Sequence, residues 1–358
     1  MPKPFSYPDL CITPDVSLMD TIKALTAAGK KIILVVDGDM RLLGVVTDFD
    51  VRTAILNHVG FDEPVSKMMK KNPIVARDGD SEEAIARIME SSRVAQLPVV
   101  DANGILVGIR FLDEFMHIED HHKERTAVIM AGGLGTRLRP ATERLPKPLL
   151  EVDGQPILFI LIDQLLSERF DKIYVTLNYL SDMIVKSINA VPRYKGKVAF
   201  VTEERAQGTA GSLTLLPERP SGPFLVVNGD LVTNISFQNM LDFHRSESNV
   251  VTLATKRHTQ DLAYGIAEID GTQITGLREK PSFHYFINTG VYVVEPAVLD
   301  RLAPGAVIDM TDVVQDLLAA GERVGSFAVH EYWIDIGTHD KYEQVQKDYP
   351  LHFPSAPK

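Results

Sequence analysis

The chain has 358 residues, 45% of them apolar and 24% charged, with a formal net charge of −11, which is length and apolar content enough for two domains with cores of their own. The acidic balance, without a strongly basic block, excludes a general affinity for nucleic acid or an anionic membrane, while a local cluster of cations can still bind one nucleotide. The single cysteine, Cys11, permits no internal disulfide and reads as a small, partly buried apolar residue, and with no signal-type or membrane-spanning apolar run the expected location is the cytoplasm.

The first third carries an internal repeat: Val36-Asp37 with Gly44 matches Val100-Asp101 with Gly108 at the same offset. In the first copy the pattern predicts a helix over Leu18–Ala28, strands over Ile32–Val36 and Leu43–Thr47, and a turn at Asp37–Asp39. The second copy repeats this as Glu82–Ser91, Leu97–Val100, Ile105–Ile109 and the turn Asp101–Gly104. Ala84, Ile85, Ile88 and Met89 form a helical stripe, and Asp-Gly and Asn-Gly are hairpin chemistry. Neither copy buries its sheet alone, so the two are expected to pack face to face.

The phrases ILVVDGDMRLLGVVTDFD and LPVVDANGILVGI resemble a tandem CBS (cystathionine-β-synthase-type) domain pair. The resemblance implies an α+β unit that binds an adenine nucleotide and regulates an attached catalytic domain. Its ribose and phosphate contacts, G-x-x-T-x-x-D, fall on Gly44, Thr47 and Asp50 of copy one. Copy two has Phe111 where the hydroxyl belongs and Glu114 where the carboxylate belongs, so at most one well-formed site is expected. Thr47 is equally suited to cap a helix ahead of Asp48 and Asp50, and a purely structural or dimerising pair stays open beside nucleotide binding.

A charged stretch, His117 to Thr126, lacks an apolar stripe and reads as a bridge. Its histidines, His117, His121 and His122 with Glu119, are expected to be solvated rather than metal-bound. The resulting division is 1–118 for the repeat pair, 119–125 for a linker and 126–358 for a second domain. There, strand runs at Ala127–Ala131, Ile173–Leu177, Val198–Thr202 and Phe224–Val227 alternate with helical patterns such as Ile157–Leu166 and Asp182–Ile188. Such alternation predicts a Rossmann-like α/β domain with a mixed, mostly parallel sheet and ligands at the carboxyl ends of its strands.

The first of those strands empties into Gly132-Gly133-Leu134-Gly135-Thr136-Arg137. Glycines let the backbone approach a ligand and point N–H groups into one concavity, which cradles phosphate. Arg137, Arg139 and Lys147 follow, so a nucleoside triphosphate is the natural guest. A dinucleotide fingerprint would need a third glycine where Leu138 stands, and no Walker lysine follows a glycine. The stretch Gly132 to Pro140 with Pro146-Lys147-Pro148 resembles the defining motif of the sugar-1-phosphate nucleotidyltransferase family, and further motifs occur in family order from about residue 126 to 345.

That resemblance implies transfer of a nucleotidyl group to a sugar-1-phosphate with loss of pyrophosphate. It implies Mg²⁺ held by Asp230, in VVNGD, and by Asp335, in WIDIGT. Either carboxylate alone reads as no more than a loop cap or a costly buried charge. Arg137 and the backbone of Gly133 to Thr136 are expected on the β and γ phosphates, and Lys147 on the α phosphate. Gly132, Gly135, Glu203, Gly208, Thr209 and Gly229 complete the nucleotide side, with a plain glycine turn as the alternative reading of Gln207 to Gly211. Tyr264, Gly265, Glu279, Lys280, Asn288 and Gly290 are expected on the sugar phosphate, an exposed turn of mixed charge being the alternative for Arg278 to Pro281. The phrases GGLGTRLR and GTAG are similar to those of guanylyltransferases acting on mannose-, heptose- or glucosamine-1-phosphate, so GTP is the expected nucleotide, with UTP, CTP or dTTP as alternatives. A non-catalytic nucleotide sensor is a second class of function, disfavoured by the intact charged residues. A homodimer or higher homo-oligomer is expected from the paired repeats.

Overall fold

The computed structural model describes residues 6–353 apart from 93, 115–123, 134 and 179. The chain divides into two compact units, Met1–His121 and His122–Lys358. Most of the bridge expected at 119–125, with its histidines and Glu119, lies outside the described residues. Arg125 belongs to the second unit's fold: its carbonyl accepts from Asp171 N, and its guanidinium donates to Glu168 O at 3.0 Å.

In the first unit the chain runs through β1 (Cys11–Ile12), α1 (Leu18–Ala28), β2 (Ile32–Val36), β3 (Leu42–Thr47), α2 (Asp48–Leu56), β4 (Lys70–Lys71), β5 (Ala76–Arg77), α3 (Glu82–Ser92), β6 (Gln96–Val100) and β7 (Leu106–Phe111). Helix α1 starts where Ser17 Oγ accepts from Asp20 N and stops at Gly29, whose left-handed backbone closes the last turn. Its Leu18, Ile22 and Leu25 are buried on one side. The strands form two sheets, β1-β2-β3-β4 and β5-β6-β7. One apolar cluster takes Leu34, Val36 and Val45 from the first and Val100, Leu106 and Ile109 from the second, so the two copies do pack against each other. Sequence reading missed β1 and β5, each pairing in parallel with the strand after its helix; two-residue strands are too short to show a period. Gly44 is explained by β4, since a Cβ on it would stand 2.9 Å from Lys70 O.

The second unit runs through β8 (Thr126–Met130), β9 (Glu151–Val152), β10 (Gln155–Pro156), α4 (Ile157–Ser167), β11 (Lys172–Leu177), α5 (Ser181–Asn189), β12 (Val198–Thr202), α6 (Gly208–Gly211), β13 (Phe224–Asn228), β14 (Leu231–Thr233), α7 (Phe237–Ser246), β15 (Val251–Asp261), β16 (Ile266–Asp270), β17 (Gln273–Arg278), β18 (Ser282–Val294), α8 (Met310–Ala319), β19 (Val324–Val329), β20 (Trp333–Asp335) and α9 (His339–His352). Its main sheet has the order β12-β11-β8-β13-β18-β15-β19, in which β18 alone runs against the others. Side chains alternate across it. Ala127, Ile129, Val175 and Val227 pack under α4, α5 and α7, while Val128, Tyr174, Val226 and Val294 pack under the α8 side. Strand order reverses around β8, with β11 on one flank and β13 on the other. That opens a crevice at the carboxyl end of β8, where α/β sheets hold ligands.

Candidate active site

The glycine loop leaves β8 into that crevice. Gly132 is closely packed: a Cβ there would meet Glu203 Oε1 at 3.1 Å and Asn178 Cβ at 3.3 Å. Gly135 has a left-handed backbone (φ +60°) and lies against Lys147 and Thr142, whose hydroxyl donates to Gly135 O at 2.7 Å. A Cβ on Gly133 would meet nothing within 4 Å, so here the open backbone faces the crevice. Lys147 is aimed by its neighbours: Pro148 and Leu149 are buried in a short 3-10 turn, and the ammonium is left pointing out of it.

Asp230 and Asp335 are brought together by a two-stranded ladder. Strands β14 and β20 pair antiparallel with Leu231 opposite Asp335, and Ile336 N donates to Asp230 O at 3.1 Å. Lys147 Nζ donates to Asp230 Oδ2 and stands 3.8 Å from Asp335 Oδ1. The Oδ1 atoms of both aspartates are buried without a hydrogen-bond partner among the described residues. Burial, and then the charge of Asp230, push the Asp335 carboxyl above its ordinary range; Lys147, Lys341 and Arg137 pull the other way. Of these cations, Lys341 on α9 was not singled out from the sequence.

Three adjoining cavities surround this centre. One, of about 310 Å³, is lined by Gly133, Gly135, Thr136, Arg137, Lys147, Asp230 and Gly337. A second, of about 270 Å³, is lined by Gly132, Gly133, Glu203, Gly208, Thr209, Asn228, Asp230 and Asp309 among others. The third, of about 310 Å³, is lined by Asn228, Asn288, Gly290, Trp333 and Asp335, again with Thr209 and Asp309. Asp230 is shared by the first two, and Thr209, Asn228 and Asp309 by the last two.

Glu203 is 8% exposed, its Oε2 accepts from Gln207 N at 2.9 Å, and burial raises its carboxyl above the ordinary range. Gly208 has φ +76°, and its missing Cβ would fall 2.4 Å from Ile308 O; that of Gly211 would fall 2.5 Å from Ala306 O. These two glycines therefore let the loop lie on the 306–309 segment, to which Ala210 N and Gly211 N donate at Ile308 O. Gly229 likewise packs on β8, with its N donating to Met130 O at 2.9 Å. Asn288 spends both ends of its amide locally, accepting from Gly290 N at 2.8 Å and donating to Tyr292 Oη at 2.6 Å. Gly290 (φ +74°) leaves room for Asn228, whose Nδ2 lies 2.3 Å from where a Cβ would be. Trp333 donates from Nε1 to Thr289 O at 2.9 Å while lining the third cavity.

Tyr264, Gly265, Glu279 and Lys280 are absent from the described linings of these cavities. They stand at the base of the exposed β16–β17 ribbon, with Tyr264 79% exposed and a Cβ on Gly265 falling 2.7 Å from Glu279 Oε2. In the first unit, Thr47 and Asp50 form a capping box. Asp50 Oδ2 accepts from Thr47 N at 2.8 Å and Thr47 Oγ1 at 2.6 Å, and Thr47 Oγ1 accepts from Asp50 N at 3.3 Å. In copy two Glu114 makes the matching backbone contact, accepting from Phe111 N at 3.2 Å. Sequence reading missed Asp309 because it lies between an irregular segment and a helix, outside any motif.

The nucleotidyl transferase family profile matches residues 126–351, and the CBS domain profile matches 5–57 and 65–109. The chain is similar to the mannose-1-phosphate guanylyltransferase catalytic subunit beta of Xenopus tropicalis, at 32% identity over 222 residues, or 59% of this chain and 61% of the relative. It is also similar to the mannose-1-phosphate guanyltransferase of Emericella nidulans, at 30% identity over 223 residues, 59% of this chain and 60% of the relative. The chain thus spans 61% and 60% of the lengths of these curated relatives. A solved Bacillus anthracis structure, named "Putative Glucose-1-Phosphate Thymidylyltransferase" and complexed with a sucrose, shares the fold. Its TM-score is 0.52 at 20% identity, covering 65% of this chain and 98% of that one.

Proposed function

The chain belongs to the nucleotidyl transferase family, with a CBS domain pair ahead of the matched segment, and from that premise we propose that it moves a nucleotidyl group from GTP to a sugar-1-phosphate. The observation that carries this reading is the meeting of Lys147, Asp230 and Asp335 beside an open glycine loop and Arg137. A phosphate oxygen of the sugar-1-phosphate bonds to the α phosphorus, the α–β bridging bond breaks, and its electron pair leaves on pyrophosphate. The attacking oxygen is already an anion, so no general base is needed. The protein must align two polyanions and screen the charge that develops between them.

Arg137 and the backbone of Gly133 to Thr136 are assigned to the β and γ phosphates, and Lys147 to the α phosphate. Lys280 is assigned to the sugar phosphate, and Glu279, Tyr264, Gly265, Asn288 and Gly290 to the sugar; for the first four of these the support is the family pattern alone. Members of the family generally use a divalent metal. Asp230 and Asp335 fit one, since each keeps a buried oxygen without a partner and two carboxylates are what Mg²⁺ takes from a protein. When bound, Mg²⁺ neutralises charge on the α phosphate. Glu203 supports GTP: a buried carboxylate accepts from the N1–H and N2–H₂ of guanine, a donor pair that pyrimidines lack.

In this reading 126–358 is the catalytic domain, the linker proposed at 119–125 ends on that domain at Arg125, and 1–118 is a regulatory or dimerising pair. An adenine nucleotide at Gly44, Thr47 and Asp50 would have to open the capping box that now holds two of the three. Mannose-1-phosphate is the preferred acceptor, because the two curated relatives described carry that name. Heptose- and glucosamine-1-phosphate are the next to be tried. The proposed site of action is the cytoplasm; no described helix is long and apolar enough to cross a membrane.

The test is pyrophosphate release with Mg²⁺ across GTP, UTP, CTP, dTTP and ATP, each against a panel of sugar-1-phosphates. Release with GTP and one sugar is the expected result. Release only with another nucleotide would keep the enzyme and replace the nucleotide. No release from any pair, with nucleotide still bound, would replace the enzyme with a sensor.

A further inference from the structure

Asp309 stands between residues that the sequence keeps far apart, the Gln207–Gly211 loop and the Asn288–Gly290 segment. Its Oδ1 accepts from Thr209 N at 2.9 Å and from Thr209 Oγ1 at 3.2 Å. The same hydroxyl accepts from Met310 N at 2.8 Å, and Asp309 N donates to Asp312 Oδ2 at 3.0 Å. The carboxylate is therefore pinned at the first turn of α8, where a negative charge is favoured. With Thr209 and Asn228 it forms the wall shared by the second and third cavities. Its charge reaches Tyr292, whose hydroxyl is bonded to Asn288.

An ionised carboxylate is an acceptor only. In a wall bordering substrate polyanions it repels phosphate and suits hydroxyl donors. A group already fixed by its neighbours also loses little freedom when a ligand arrives. We propose that Asp309 reads the sugar: its carboxylate, held by Thr209, accepts a hydrogen bond from a ring hydroxyl and sets the sugar against the base loop. The inference rests on the nucleotidyltransferase reading and names a residue of its sugar subsite that the motifs read in this sequence do not include.

The experiment is calorimetric titration of the full chain, with Mg²⁺, by GDP, GDP-mannose and GDP-glucose. Asp309→Asn keeps a capping side chain and an oxygen for Thr209 but loses the charge; its melting temperature checks the fold. The wild type should bind at least one GDP-sugar more tightly than GDP. In Asp309→Asn that preference should fall about tenfold while GDP affinity stays within about threefold, since a hydrogen bond to a charged group is worth roughly that factor or more. Thr209→Val, which removes the hydroxyl bond to the carboxylate and keeps the one from the backbone N–H, should lose part of the preference. An unchanged preference in Asp309→Asn, or a wild type that binds GDP and both GDP-sugars equally, overturns the role of Asp309 and leaves the enzyme reading standing if pyrophosphate is released. Failure of the wild type to bind GDP or either GDP-sugar overturns the GTP assignment and the role of Asp309 argued on it, and pyrophosphate release with another nucleotide then keeps the enzyme.

Discussion

Lys147 lies between two carboxylates and next to the open backbone of Gly133, so it is the cation with the most to lose by truncation. Lys147→Ala should lower the rate of pyrophosphate release by about a hundredfold to a thousandfold, the usual loss when one preorganised charge is removed. The melting profile should keep the wild type's shape, and near-normal turnover would sink the assignment. Glu203 makes a prediction of opposite sign for stability and binding. Burial holds its carboxyl above the ordinary range, so the folded protein binds that proton more tightly than the unfolded chain does. The ionised form therefore costs stability at neutral pH, and the cost disappears below the unfolded carboxyl's range, near pH 4. Glu203→Gln should raise the melting temperature at pH 7 and lose that gain at pH 4. The same substitution should weaken GTP binding, and the fall in wild-type GTP affinity on acidification should shrink with it, Asp335 keeping its own share. A variant that melts higher and binds GTP normally would remove Glu203 from base recognition.

Single elements fix these side chains, and their ends are the vulnerable points. Thr47→Ala removes the acceptor half of the capping box on α2 and should cost about 1 kcal/mol, read as a lower urea midpoint at unchanged slope. The phosphate-contact reading of Thr47 adds that an adenine nucleotide, if bound there, should bind less well to the same variant. Gly208→Ala puts a methyl group 2.4 Å from Ile308 O on a left-handed residue, so the loop must leave the 306–309 segment. The expected result is a loss of about 1 kcal/mol or more, with a higher KM for GTP, because Gly208 and Thr209 line the second cavity, given to the nucleotide. The elements themselves were largely legible. Helix α1 and strand β2 fall where their apolar spacing puts them, because a helix stripe and an all-apolar strand are local patterns. The β1 and β5 pairings were not, since two residues carry no period and exist as strands only through a neighbour.

For the molecule as a whole, the paired repeats lead to the expectation of a homodimer or larger assembly; light scattering on the full chain should give at least twice the chain mass of 39.7 kDa. A monomer across the working concentration range would remove dimerisation as the role of the CBS pair. The alternation of the main strands and helices, the repeat, and the glycine loop with its cations were legible in the sequence. All of these are written in short-range periodicity and in residue types that only certain backbones tolerate. That Asp230 and Asp335 share Lys147 follows from long-range pairing, because the β14–β20 ladder, not the spacing along the chain, brings them together. The fold also turned Gly208 and Gly211 toward a neighbouring segment, placed Asp309 in the wall of two cavities, and left Lys280 on an exposed ribbon. Each of those outcomes depends on long-range packing of irregular chain, for which no local pattern codes.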